Sequence, residues 1–132
     1  MAILATCHCG ATKIELPDHP QSVTDCNCTF CERTGAFWAY FPADALRFHA
    51  HEGERSYSAN GLGKHYFCGN CGMQTWGDAP DFSLLFDDEG KEIPDAPDLN
   101  DLPRRHSLNV NLIDDFDWSR VTIEKLDGRK EW

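Results

Sequence analysis

Apolar and polar residues alternate along several short runs of this chain, and a period of two marks half-buried strands. Thr12, Ile14 and Leu16 share one face, with Lys13 and Glu15 on the other. Ala36 to Phe41 is an aromatic-rich strand segment, and Lys64 to Phe67 leads directly into Cys68. From Ser107 to Asp114 the pattern puts Leu108, Val110 and Leu112 on one side and Asn109 and Asn111 on the other. Val121 and Ile123 continue it near the end. Asn60-Gly61-Leu62-Gly63 reads as a turn between two such runs, without the strand-to-helix setting of a nucleotide loop.

Helical periodicity does not last three turns anywhere. Cys28 to Thr34, stopped by Gly35, predicts one or two helical turns, and Pro42 to Leu46 predicts another. Asp87 to Pro103 is rich in Asp, Glu and Pro, so a solvated acidic excursion between strands is expected there. There is no repeat at a solenoid period. The pattern therefore implies an all-β fold with only short helical turns, in a single domain over residues 1–132.

Charge narrows the partners. With 22 acidic and 12 basic residues the formal charge is −10, which repels nucleic acid and anionic membranes alike. No apolar run approaches the ~20 residues that span a bilayer. The start, Met1 to Gly10, lacks a basic region ahead of its short apolar run. A cytoplasmic protein acting on small molecules is the expectation, with neither nucleic acid nor membrane as partner.

The cysteines change the picture most. Seven is a high and odd number, and in a reducing compartment clustered thiols mean metal binding or redox chemistry. They fall into Cys7-His8-Cys9-Gly10, Cys26-Asn27-Cys28-Thr29-Phe30-Cys31 and Cys68-Gly69-Asn70-Cys71-Gly72. Two cysteines one or two residues apart curl around one ion without strain, and a glycine after the second eases the turn. Cys7, Cys9, Cys68 and Cys71 thus make a closed tetrad suited to structural zinc. Cys26, Cys28 and Cys31 supply three ligands within six residues and leave a coordination position open, as catalytic zinc sites do. The alternative is a structural site completed by a histidine or an aspartate. Cys-x-Cys-x₂-Cys is not a usual iron–sulfur spacing, and Cys68-Gly69-Asn70-Cys71 lacks the βαβ setting of a dithiol redox motif.

Other residues are candidates of lower rank. His8 stands between two ligands and points away from their metal. His49, His51, His65 and His106 are strand or surface histidines, any of which the fold could bring to the trio. Asp25 could accept a hydrogen bond behind the ligands. Trp38 and Tyr40 are read as core residues before pocket residues, and Arg33 as solvent-facing before a carboxylate anchor.

The cysteine set resembles the glutathione-dependent formaldehyde-activating enzymes and their centromere-protein-V-like relatives. The likeness continues through Gly35 to Phe41-Pro42-Ala43-Asp44, then Asn109-Val110 with Asp114, and the closing Asp127-Gly128-Arg129. The resemblance implies a β-tent fold, with Cys7, Cys9, Cys68 and Cys71 on structural zinc. It also implies a second, labile and catalytic zinc on Cys26, Cys28 and Cys31. The implied activity is that of a zinc-dependent carbon–sulfur lyase, adding a glutathione-like thiol to a formaldehyde-like aldehyde or running the reverse. A non-enzymatic, zinc-stabilised binding module is the other reading.

Overall fold

In the computed structural model, which describes residues 2–131, two sheets share one apolar core. In chain order the strands are β1 (Ile3–Thr6), β2 (Thr12–Leu16), β3 (Ser22–Cys26), β4 (Trp38–Pro42), β5 (Arg47–His51), β6 (Glu54–Tyr57), β7 (Lys64–Cys68), β8 (Gln74–Pro80), β9 (Arg104–Asn109) and β10 (Thr122–Leu126). Among the described residues, helix is confined to α1 (Thr29–Thr34), α2 (Gly128–Glu131) and 3-10 turns. The chain is mostly β, as the alternation predicts. The smaller sheet runs β1-β2-β5 and the larger β10-β3-β4-β9-β8-β7-β6. Every pairing is antiparallel except that of β10 with β3. No helix of the described residues is long and apolar enough to cross a membrane.

Burial follows the pleat. On β2 the alternate residues Thr12, Ile14 and Leu16 are buried, and on β4 Ala39 and Phe41 turn inward. They pack with Ala5, Val23, Leu46, Leu108 and Val110, so the core draws on both sheets. A bridge between Ala5 and Ile113 ties the N-terminal strand to the turn after β9.

Three expectations need correction. The strand placed at Ser107 to Asp114 begins earlier, at Arg104, and stops at Asn109. There the Asn109 side chain accepts from the Asn111 amide at 3.2 Å and caps the 3-10 turn Val110–Leu112. Asn109 is itself buried, its amide donating to the Gln74 carbonyl at 3.0 Å, so it does not face solvent. Pro42 to Leu46 forms no helix, because Asp44 takes a left-handed φ of 74° in a tight turn. The acidic excursion is almost wholly exposed to Asp101, but Leu102 is only 6% exposed and anchors its far end.

The register settles what the other face of the large sheet carries. Thr24 pairs with Trp38, Tyr40 with Ser107, Ser107 with Gly77, and Gly77 with His65. Cys26 follows two residues after Thr24, and Arg105 precedes Ser107 by two. All lie on the face turned away from the core, since successive side chains alternate.

Candidate metal centre

The seven cysteines are free thiols, and the fold gathers their sulfurs into two clusters: Cys7, Cys9, Cys68 and Cys71, then Cys26, Cys28 and Cys31. Two similar knuckles build the first. The Cys7 amide donates to the Thr12 carbonyl and the Gly10 amide to the Cys7 carbonyl, at 3.1 Å each. The Cys68 amide donates to Met73 at 3.0 Å and the Gly72 amide to Cys68 at 2.8 Å. Gly10 and Gly72 take φ of +84° and +79°, which a side chain would disfavour. Backbone amides then reach the sulfurs: Thr12 donates to Cys7 Sγ at 3.3 Å and Cys71 to Cys68 Sγ at 3.5 Å.

These spacings suit one ion. Four sulfurs held tetrahedrally at Zn–S of ~2.3 Å lie about 3.8 Å apart. Here Cys7 Sγ to Cys9 Sγ is 3.7 Å and Cys9 Sγ to Cys68 Sγ is 3.6 Å. The Asn70 side chain and the Ala11 amide hold the Cys9 thiol below its ordinary range. Knuckle amides thus favour thiolate where a cation would need it.

The second cluster is built by a strand end and a helix start. Cys26 closes β3, Cys28 caps α1, and Cys31 lies in its first turn. The Cys28 amide donates to Cys26 Sγ at 3.4 Å, and the Cys31 amide to Cys28 Sγ at 3.3 Å. Gly35 ends the helix in the left-handed region, where the glycine was expected to stop it. The Trp38 indole N–H donates to Cys31 Sγ at 3.4 Å. Burial pushes the Cys31 thiol strongly up, reinforced by its cysteine neighbours. Three thiolates this close repel one another, so a cation is what allows all three to ionise.

No fourth histidine, cysteine or carboxylate among the described residues joins the trio within 4.8 Å. His49 pairs with Glu15 at 2.9 Å, His51 with Glu54 at 3.3 Å and His106 with Asp78 at 3.5 Å. His65 lies against Phe30 and Trp38, which pack on the trio. Its ring stacks on Phe30 with centroids 3.9 Å apart and lies 6.1 Å from Trp38. Burial lowers its pKa and keeps the imidazole neutral. His8 is exposed, and Arg33 is exposed with its guanidinium on the Thr29 carbonyl at 3.1 Å. Trp38 is buried, yet against the trio rather than in the main core. Tyr40 is 39% exposed, which corrects its reading as a core residue.

A cavity of about 260 Å³ opens beside the trio, lined by Asp25, Cys26, Asn27, Cys31, Glu32 and Phe37 among others. Asp25 faces Lys125 at 4.0 Å. Phe30, Asn27 and Arg105 belong to the surroundings of the trio without being candidates from sequence. Asn27 and Phe30 sit inside the cysteine motif, which is their only signal. Arg105 has none, because it lies outside the alternating run from Ser107 to Asp114.

Residues 2–85, which include both clusters, match the family model described as glutathione-dependent formaldehyde-activating enzyme. A crystal structure of a Rhodobacter sphaeroides protein is similar, with 26% identity and a TM-score of 0.60. The match covers 89% of this chain and 93% of that one. No curated protein matches.

Proposed function

Because the chain belongs to the family of glutathione-dependent formaldehyde-activating enzymes, we propose that it adds a small glutathione-like thiol to a small formaldehyde-like aldehyde, or reverses that addition, at a zinc ion held by Cys26, Cys28 and Cys31. The observation that carries this reading is a three-sulfur cluster with no fourth protein ligand among the described residues, bordering an open cavity. A site complete in itself would have been closed, as the tetrad is. The tetrad of Cys7, Cys9, Cys68 and Cys71 would hold the other, structural zinc, which would fasten the segment after β1 to the end of β7.

When bound, the trio zinc supplies a Lewis acid that favours the thiolate form of an incoming thiol at neutral pH. The chain's own residues do the rest. Amides of Cys28 and Cys31 and the Trp38 indole fix the three ligand sulfurs in place. Phe30, Trp38 and the neutral His65 make an aromatic wall beside them. In the addition a carbon–sulfur bond forms as the carbonyl π bond opens, and the thiol proton ends on the former carbonyl oxygen. Nothing is oxidised. Three thiolates leave the site formally anionic, which suits a soft sulfur nucleophile better than activation of water.

Formation of S-hydroxymethylglutathione from glutathione and formaldehyde is the test, read against the uncatalysed reaction. Wild type should exceed background, and Cys31→Ser should fall to background while keeping its melting transition and about one zinc per chain. A zinc-replete wild type running only at background would overturn the enzymatic reading. A metal-stabilised binding module would then take its place.

A further inference from the structure

A second cavity of about 260 Å³ lies on the same outward face of the large sheet, lined by Thr24, Tyr40, Arg105, Glu124, Lys125 and Leu126. Its place follows from the strands. Thr24 precedes Cys26 by two residues on β3, and Tyr40 follows Trp38 by two on β4. The cavity therefore sits about 7 Å along the sheet from the residues that touch the trio. Cys31 and Cys26 are near enough to bear electrostatically on the Tyr40 phenol.

Arg105 is its most informative member. Its guanidinium carbon lies 3.9 Å from the centroid of the Tyr40 ring, a stacking that holds the planar fork in one orientation. Its ion pair with Asp81 is long, 3.5 Å, with the arginine side chain 28% exposed. That single contact leaves most of its five N–H donors without a partner among the described residues. Across the cavity, Glu124 on the edge strand supplies the opposite charge. A fork for a carboxylate facing a carboxylate for an ammonium complements a zwitterion. In a chain of formal charge −10, a local cation is also what an anionic group would need.

We propose that this cavity binds the α-amino-acid end of the thiol substrate, its carboxylate on Arg105 and its ammonium on Glu124. The assignment rests on the thiol-plus-aldehyde reading for its purpose, since it is the sulfur of the same molecule that reaches the trio. The reach is right: two residues of extended chain span about 7 Å, so an amino-acid end held in the cavity brings the thiol of the next residue to the cysteines. The site thereby prefers peptide thiols over small neutral ones such as 2-mercaptoethanol.

The test uses S-methylglutathione, which keeps both charged ends but has no thiol to offer the metal. Its binding to the zinc-loaded protein, followed by calorimetry or by NMR line broadening, should saturate. Affinity should fall about tenfold in Arg105→Gln, recover in part in Arg105→Lys, and fall severalfold in Glu124→Gln. The last substitution lies on an exposed edge strand, so it reports on the cavity even where the Arg105 variants melt early. Failure to bind wild type, or equal affinity for wild type and Glu124→Gln, overturns the assignment. Neither result touches the thiol reading, which fails separately if free glutathione leaves the trio metal unchanged.

Discussion

Arg129 illustrates how one residue can matter to the trio without touching it. Its backbone N–H donates to the Asn27 side-chain oxygen at 3.1 Å, and its Nε donates to the Asn27 carbonyl at 2.9 Å. Its guanidinium also meets Glu32 on α1 at 2.8 Å. Asn27 in turn donates to Asp127 at 3.1 Å. Residue 27 is flanked by two ligands of the trio, so these bonds hold the loop that sets the ligand spacing. Exposed ion pairs contribute under about 1 kcal/mol to stability, and the Arg129–Glu32 pair is half exposed. Groups that orient a metal's ligands act on affinity instead, by about tenfold or more. Arg129→Ala should therefore melt close to wild type yet lose the trio zinc to a chelator about tenfold more readily. Unchanged release would show that the loop is held without Arg129. From sequence alone the cysteines were legible because spacing is local, whereas the pairing of Asn27 with Arg129 joins residues 102 positions apart.

At the scale of elements, runs with clean alternation were readable and the rest were not. Thr12 to Leu16 buries alternate residues, as expected, because β2 is central in its sheet and one face meets the core. β8, Gln74–Pro80, carries Gly, Asp and Pro and gave no such signal, although it lies between β7 and β9. β3 and β5 escaped for a related reason, since their burial depends on partners distant in sequence. Helix α1 was legible from its glycine stop, and Pro42 to Leu46 misled because the left-handed Asp44 is not visible as a pattern. The acidic excursion was legible in composition but not in its anchor. Replacing residues 88–97 by a shorter Gly-Ser linker should cost less than about 1 kcal/mol, because they are almost all exposed and their hydrogen bonds stay within the excursion and its near end at Leu85 to Asp87. Leu102→Ala, by contrast, should cost about 2–4 kcal/mol through the cavity it leaves. Denaturant melts of both variants decide this, and a linker variant as damaged as Leu102→Ala would show that the excursion packs on the fold.

Over the whole molecule, the two cysteine clusters differ in closure. The tetrad joins the ends of β1 and β7, from different sheets, with four sulfurs spaced for one ion. The trio joins β3 to α1 on the other face of the large sheet, packed on the buried Trp38 with His65 beside it, and Arg105 stacks on Tyr40 further along the same face. A fold of two sheets around one apolar core leaves that face available, and no fourth ligand among the described residues closes it. In the proposed reaction a substrate thiol completes the trio. Cobalt placed on Cys26, Cys28 and Cys31, with zinc kept on the tetrad, reports this when glutathione is titrated in. The thiolate-to-cobalt absorption should grow and saturate at one thiol per chain. A spectrum unchanged at saturating glutathione, with cobalt fully bound to the trio, would show that no thiol joins the metal.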